Sequence, residues 1–511
     1  MRLKNSITNI MASVFAQIIA ALIGFAARQV FIASLGDEYL GVNGLFSNIL
    51  SMLSLVELGI GPAIIYHLYK PLAENDEHKL QALMSLYKKA YSYIGVSVLL
   101  LGIVLSNYLH VFIKNMPDIL HIKIIFLLFV INAALSYFFS YKRSLIIADQ
   151  KQYIVTVIHY IFFICLNILQ VLVLYVTKDY FLFLSLQIIS TLIENIVISI
   201  RADRMYPFLK RASRAVLDKE DKSDIFKYTI ATVMHKIGGI FVNSTDSVLI
   251  SSMVGLLETG FYSNYLLITA TLNGLINQIF AAITSSVGNL GVSENSERKI
   301  FIYHVTMFIN FWIYGLASIA LIVLVNPFIS LWLGKRLLFE PYVVLILIIN
   351  FYISGMRKST LAFREGLGLV RKDLFKPLFE SVINLVASII LVRYLGLIGV
   401  FIGTTISTLT TCFWIEPVVL YYYAFKVPVR TYFTRYLIYL ISVVSAGLSA
   451  WILCEKFFVQ TSWLSLLYRA LICFFVVNVL FVIFFHRTKE FKYLFNLGKT
   501  VCGKVVFKFK K

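Results

Sequence analysis

The chain is 511 residues long, 59% hydrophobic and only 14% charged, with a formal net charge of +20 and a mean hydropathy of +0.83. A soluble domain carries nearer a quarter charged residues, and a soluble chain of this length would divide into domains joined by polar linkers. The composition therefore excludes an ordinary soluble enzyme. It predicts an all-α, polytopic membrane protein, because apolar runs long enough to cross a hydrocarbon core of about 30 Å follow one another along the chain.

The first predicted element starts in "MRLKNSITNIMASVFAQIIAALIGFAARQVF". Its apolar run is too long for the core of a cleavable signal peptide, so it is read as the first span. About fourteen transmembrane helices are predicted, near 8–34, 40–66, 88–110, 121–147, 152–176, 180–201, 228–253, 260–290, 300–325, 341–366, 374–394, 396–424, 432–454 and 463–486. Short hairpins are expected near 148–151, 177–179 and 394–396. In the first span, Arg28 lies nearer the outer end, where snorkelling outward competes with a role in a cavity. In the second span, Glu57 is followed at once by Gly59, Gly61 and Pro62. Pro removes a backbone donor and kinks a helix, so this carboxylate either serves a cation site or gate, or caps freed backbone groups.

The longest polar connection, 201–228, reads "RADRMYPFLKRASRAVLDKEDKSDIFKY". The seventh span then carries "HKIGGIFVNSTDSVLIS". Lys236, Gly239, Asn243 and Asp246 stand at i, i+3, i+7 and i+10 there, one stripe of a helix. Lys236 and Asp246 are about 15 Å apart along the axis, too far to be a simple ion pair. A charge at mid-membrane usually faces a bundle interior or wet cavity. The stripe thus lines a cavity, or else Lys236 snorkels and Asp246 fixes packing. Glu194, Glu380 and Glu416 lie nearer inner ends, as gate or as structural groups. Arg357 and Arg364 approach the inner end of the tenth span.

Basic residues orient the chain. With the N-terminus inside, inner loops and helix ends hold 36 of the 46 Lys+Arg and the outer side holds 7. Both termini are expected in the cytoplasm. The basic residues flank membrane spans, so nucleic acid is set aside as a partner; the net charge reads as topology plus attraction to anionic lipid.

"VFIASLGDEYLGVNGL" and "VLISSMVGLLETGFYSNYL" each end an apolar run with Gly, four residues, Gly. The pairs Gly36/Gly41 and Gly255/Gly260 are offset by 219 residues, which fits two repeated six-helix halves, a frequent transporter plan. The expected organisation is an N-lobe (1–201, helices 1–6), a cytoplasmic linker (202–227), a C-lobe (228–424, helices 7–12), two extra helices (425–486) and a basic cytoplasmic tail (487–511). The lobes are expected to be pseudo-symmetric. The offset sets Arg28 opposite Ser247, one position from Asp246. The five cysteines lack C-x-x-C spacing, the histidines lack ligand-like spacing, and no Walker A motif, nucleophile elbow or H-E-x-x-H occurs. A hydrolase or ATPase is disfavoured, and no catalytic residue, metal ligand or cofactor is assigned.

Four stretches carry a resemblance: "RQVFIASLGDEYLGVNGLFSNILSMLSLVELGIGPAI", "YPFLK", "NSTDSVLIS" and "FREGLGLVRKDLFKPLFESVINLVASIILVRYLGLIGVFIGTTIS". The chain resembles the polysaccharide transporter branch of the multidrug/oligosaccharidyl-lipid/polysaccharide exporters, the Wzx-type oligosaccharide repeat-unit flippases. The resemblance implies two V-arranged lobes around a cavity that opens alternately to either side of a bacterial plasma membrane. It implies an undecaprenyl-diphosphate-linked glycan as cargo, for capsule, exopolysaccharide or O-antigen synthesis. Transport would be driven by protons or sodium, with a polysaccharide polymerase and glycosyltransferases as further candidate partners. It assigns Arg28 and Lys236, with Arg357 and Arg364, to substrate binding; Asn243, on the Lys236 stripe, is taken with them. Glu57, Asp246 and Glu194 are the candidate ion-coupling or gating groups. A lipid II flippase and a drug/cation antiporter of the same superfamily are the nearest alternatives. A membrane glycosyltransferase would need larger outer loops.

Overall fold

The computed structural model describes residues 2–57, 60–119, 121–210, 217–218, 223–226, 229, 244–293, 295–373, 375–457, 460–497 and 499. The described chain is almost wholly helical, and no strand occurs among the described residues. In chain order the longer helices are α1 (Arg2–Leu35), α2 (Asp37–Leu53), α3 (Ile60–Glu74), α4 (Glu77–Ser106), α5 (Ile122–Ala148), α6 (Gln152–Thr177) and α7 (Tyr180–Met205). They continue with α8 (Leu256–Ser293), α9 (Ser296–Trp332), α10 (Pro341–Gly366), α11 (Lys376–Leu395), α12 (Leu397–Thr410), α13 (Cys412–Leu420), α14 (Arg430–Phe457) and α15 (Trp463–Phe485).

Eleven helical segments among the described residues are long and apolar enough to cross a membrane, and each coincides with an expected span. The expected eighth span lies within α8. The seventh lies largely outside the described residues. The second, expected as one helix over 40–66, is instead broken: α2 ends at Leu53, a 3-10 turn runs from Ser54 to Glu57, and α3 begins at Ile60. Gly59, Gly61 and Pro62 follow directly, so the backbone lacks the donors and propensity to carry one helix through. The expected hairpins occur, turned by Gln150, Lys178 and Gly396, all at positive φ. Asp179 caps α7, its Oδ1 accepting from Phe181 N at 2.7 Å and Leu182 N at 3.2 Å, as an N-cap carboxylate should.

Large apolar side chains remain exposed along many helices, such as Leu100, Leu101 and Val104 of α4 and Phe474, Phe475 and Val479 of α15. In water such surfaces would aggregate; in a bilayer they face lipid. The chain is a multi-pass membrane protein.

Packing divides the chain into two compact units, Met1–Leu275 with Pro377–Gly403, and Ile276–Lys376 with Thr404–Lys511. The division expected from the sequence follows the repeat; this one follows contacts. In the first unit, Leu83, Tyr87, Tyr91 and Val98 of α4 pack with Tyr137, Leu145 and Ile146 of α5. Small residues let such helices approach closely in lipid, where burial alone drives nothing. A Cβ at Gly102 would stand 2.3 Å from Val130 Cγ1. The "YPFLK" segment pins this unit at one end. Tyr206 donates to Asp149 Oδ2 at 2.6 Å, and Gln81 donates to Phe208 O at 2.6 Å. Burial first, then the Asp149 carboxylate, raises the Tyr206 pKa above its ordinary value and keeps the phenol protonated.

The second unit is built on aromatic rings and polar clasps. Phe311 of α9 stacks on Tyr439 of α14 at 4.4 Å and packs against Phe481 of α15 at 4.7 Å. Asn310 Nδ2 donates to Gly355 O at 3.1 Å and Met356 O at 2.8 Å, and Trp312 donates to Asn478 Oδ1 at 2.8 Å. Each such interhelical bond is worth about 0.6 kcal/mol in a membrane.

Candidate functional site

Arg28 sits in the apolar body of α1, and its Nη2 donates to Ser263 O of α8 at 3.2 Å. The side chain is partly buried, and among the described residues no carboxylate pairs with it. A guanidinium has five donors and no way to shed its charge, so a single backbone carbonyl leaves most of that capacity for a ligand.

Glu57 stands at the end of the 3-10 turn that breaks the second span. Tyr91 of α4 donates to its Oε1 at 3.1 Å. Gly61 keeps the space open: a Cβ there would lie 3.1 Å from the Tyr91 hydroxyl and 3.8 Å from Glu57 Oε1. Glu194 of α7 is differently placed. Arg143 Nη2 of α5 donates to it at 2.7 Å, and His159 Nδ1 of α6 lies 3.1 Å away, so one carboxylate ties three helices together. Beside it Lys142 Nζ reaches Asp203 at 2.8 Å and donates to Ser199 at 2.7 Å. Asp246 is buried, as is Tyr262 of α8. Thr245, next to Asp246 in the chain, donates to Asn384 Oδ1 of α11 at 3.3 Å.

In the second unit, the twelfth span breaks at Thr411, between α12 and α13, and Pro417 lies just beyond. Glu416, fully buried, sits on the short helix between break and proline. Arg357 of α10 clasps it with two bonds, Nε to Oε2 at 3.0 Å and Nη2 to Oε1 at 2.7 Å. Lys376, at the start of α11, is ion-paired to the same carboxylate. Lys376 also lies 3.6 Å from Asp373, which is paired with Arg364. Three cations and two carboxylates thus form one chain of charge.

Of the residues assigned to substrate binding, Arg28 has no carboxylate partner among the described residues, and Arg357 and Arg364 lie inside this network. Lys236 and Asn243 lie outside the described residues, so of their stripe only Asp246 is seen. Arg28, Glu57, Glu194 and Asp246 belong to one unit, Arg357 and Arg364 to the other. Sequence reading did not single out Lys376, Asp373, Arg143 or Lys142. Each stands near basic residues that flank a span, which masks it as an orienting charge. Among the described residues no group of three or more His, Cys, Asp or Glu could hold a metal ion.

The repeat offset also relates contacts. A Cβ at Gly41 would meet Leu256 O at 2.2 Å, and one at Gly260 would meet Asp37 O at 3.2 Å. Adding 219 to residues 41 and 37 gives 260 and 256, so the two contacts are each other's counterparts.

The sequence profile of the polysaccharide biosynthesis protein family matches residues 6–284. No curated protein matches the chain in sequence. Among solved structures, the lipid II flippase MurJ in an inward closed conformation is similar at 15% identity and a TM-score of 0.65, covering 93% of this chain and 99% of that one. An inward-facing multidrug resistance MATE family transporter of the MOP superfamily is similar at 17% identity and 0.59, covering 78% and 95%. A MOP superfamily transporter from Pyrococcus furiosus is similar at 16% identity and 0.54, covering 82% and 96%. These likenesses describe the fold. With a profile match over more than half its length, the chain belongs to the polysaccharide biosynthesis protein family.

Proposed function

We propose that this protein is a flippase that moves undecaprenyl-diphosphate-linked oligosaccharide repeat units from the inner to the outer leaflet by ion-coupled alternating access. Family membership and the transporter fold support a lipid-linked cargo. The observation that carries the reading is Arg28, a guanidinium within a span whose hydrogen bond is to a backbone carbonyl. Holding such a charge in a membrane costs at least a few kcal/mol, and an anionic ligand offsets that cost. A diphosphate can accept bidentate, charge-assisted bonds from a guanidinium. Lys236 is its proposed counterpart in the matching helix of the second repeat, with Asn243 facing the sugar. Lobes of residues 1–201 and 228–424 would rock against each other, changing the separation of the two cations and releasing cargo outward.

Glu57 and Asp246 are the proposed coupling carboxylates, taking up a proton or sodium ion. The broken helix at Glu57 gives that carboxylate a backbone able to shift. Both termini would lie in the cytoplasm.

The test is export in cells lacking the resident flippase. A well-inserted Arg28→Gln, Lys236→Gln double variant should abolish surface polysaccharide, and normal surface polysaccharide in that variant would remove the diphosphate assignment. Rescue of a peptidoglycan-precursor flippase mutant, without rescue of surface polysaccharide, would assign lipid II as the cargo instead.

A further inference from the structure

Where α14 begins and α15 ends, the second unit has a pocket of about 990 Å³. Its walls carry Arg430, Arg435, Arg487 and Lys489 over a floor that includes Phe308 and Phe485. Among the described residues Glu490 is the one carboxylate lining it, and it is spent on Arg435 at 2.8 Å. Arg430, Arg487 and Lys489 are exposed and pair with no carboxylate among the described residues, leaving three uncompensated positive charges. The first turn of α14 adds the positive end of a helix dipole.

Beside it, across Arg430 and Thr434, an apolar groove of about 1220 Å³ runs along α14 from Phe433 to Trp451. Arg430 and Thr434 line both volumes. Trp414 packs on Phe433 at 4.6 Å at the basic end of the groove, and Trp414 and Trp451 are both about half exposed, so the groove faces the bilayer. Cationic at one end and hydrocarbon-lined along its length, the site complements a molecule with an anionic head and apolar chains. Basic pockets between membrane helices bind anionic lipid head groups. Because bilayer lipid is the solvent of this surface, mass action favours an abundant anionic lipid over a scarce carrier lipid. We propose that pocket and groove form a binding site for an anionic diacyl phospholipid, its phosphate held by Arg430, Arg487 and Lys489 and its acyl chains laid along α14.

The full chain is placed in phosphatidylcholine bilayers, and its tryptophan fluorescence is quenched with increasing brominated phosphatidylglycerol or brominated phosphatidylcholine. The phosphatidylglycerol should quench at a several-fold lower mole fraction. That preference should vanish in an Arg430→Gln, Arg487→Gln, Lys489→Gln variant whose quenching by brominated phosphatidylcholine is unchanged. If that variant does not fold, Arg430→Lys with Arg487→Lys should keep the preference, and 1 M salt should weaken it in the unaltered protein. Equal quenching by both lipids in the unaltered protein would overturn the proposal, as would a preference that survives the triple substitution. So would undecaprenyl phosphate relieving the quenching at a lower mole fraction than unbrominated phosphatidylglycerol, which would give the site to the carrier lipid.

Discussion

Arg28 differs from four other intramembrane cations of the described chain in what surrounds it. Arg143, Arg357, Arg364 and Lys376 each meet a carboxylate, whereas the guanidinium of Arg28 reaches a backbone oxygen. A charge kept without compensation in a span is kept for a ligand or for the interface, and substitution separates these. A hydrogen bond to a charged group is worth about 1.5–3 kcal/mol, and each 1.4 kcal/mol is about tenfold. Arg28→Gln should therefore slow export of lipid-linked glycan by roughly ten- to a hundredfold, with Arg28→Lys retaining part of the activity in a quantitative assay of surface polysaccharide. Equal, wild-type export in both would mean that Arg28 only snorkels. Glu57 invites a parallel measurement: Glu57→Gln should leave the protein folded, slow turnover and flatten its dependence on an imposed ion gradient. Unchanged gradient dependence in Glu57→Gln and in Asp246→Asn would exclude both carboxylates from coupling. Arg28 and Glu57 were legible in the sequence because each is a lone charge in an apolar run. Lys376 was not: it follows Arg371 and Lys372 at the edge of a span, and no spacing joins it to Glu416, 40 positions on.

The buried carboxylate Glu416 stands on a short helix that follows a break in a span. The element α13, which begins after Thr411 and carries Pro417 within it, is fastened to Arg357 and Lys376 through Glu416, its one charged residue. Removing one partner of a buried ion pair costs about 3–5 kcal/mol, because it strands the others. Glu416→Ala would strand Arg357 and Lys376 together, so it should lower the unfolding midpoint of the purified protein steeply, and Glu416→Gln less so. A midpoint equal to wild type in Glu416→Ala would show that solvent already screens the network. The glycines make a second prediction at this scale. A side chain at Gly41 must displace a backbone carbonyl at 2.2 Å, whereas Gly24 of α1 has nothing within 4 Å of where its Cβ would stand. Gly41→Ala should reduce both stability and export, and Gly24→Ala should be neutral or stabilise by up to about 1 kcal/mol. Equal behaviour of the two variants in thermal unfolding would dissolve the close contact of α2 with α8. The sequence showed these glycines as a repeat, through spacing alone; that they touch reciprocally depends on tertiary geometry that no local pattern encodes.

For the whole molecule, span existence was the most legible property, since a run of about twenty apolar residues has few alternatives to a membrane helix. Span continuity was less so. The break in the second span at Ser54–Glu57 starts before its glycines and proline, and the one at Thr411 precedes Pro417; hydropathy averages across both. Orientation rests on charge: 36 of 46 basic residues fall on one side if the N-terminus is inside, and an excess of that size fixes topology during insertion. The helices now supply accessible reporters for that expectation. Asn107, just past α4, would be outside, and His78 and Glu297, at the starts of α4 and α9, would be inside; all three are exposed. The exposed native Cys165 must first be replaced with the other cysteines. In the cysteine-free chain in intact cells, Asn107→Cys should react with a membrane-impermeant maleimide, while His78→Cys and Glu297→Cys should react only after permeabilisation. Labelling of His78→Cys or Glu297→Cys from outside would invert the molecule. It would then place the basic pocket of α14 and α15 in the outer leaflet, and Arg28 nearer the cytoplasmic face than the proposed release of cargo requires.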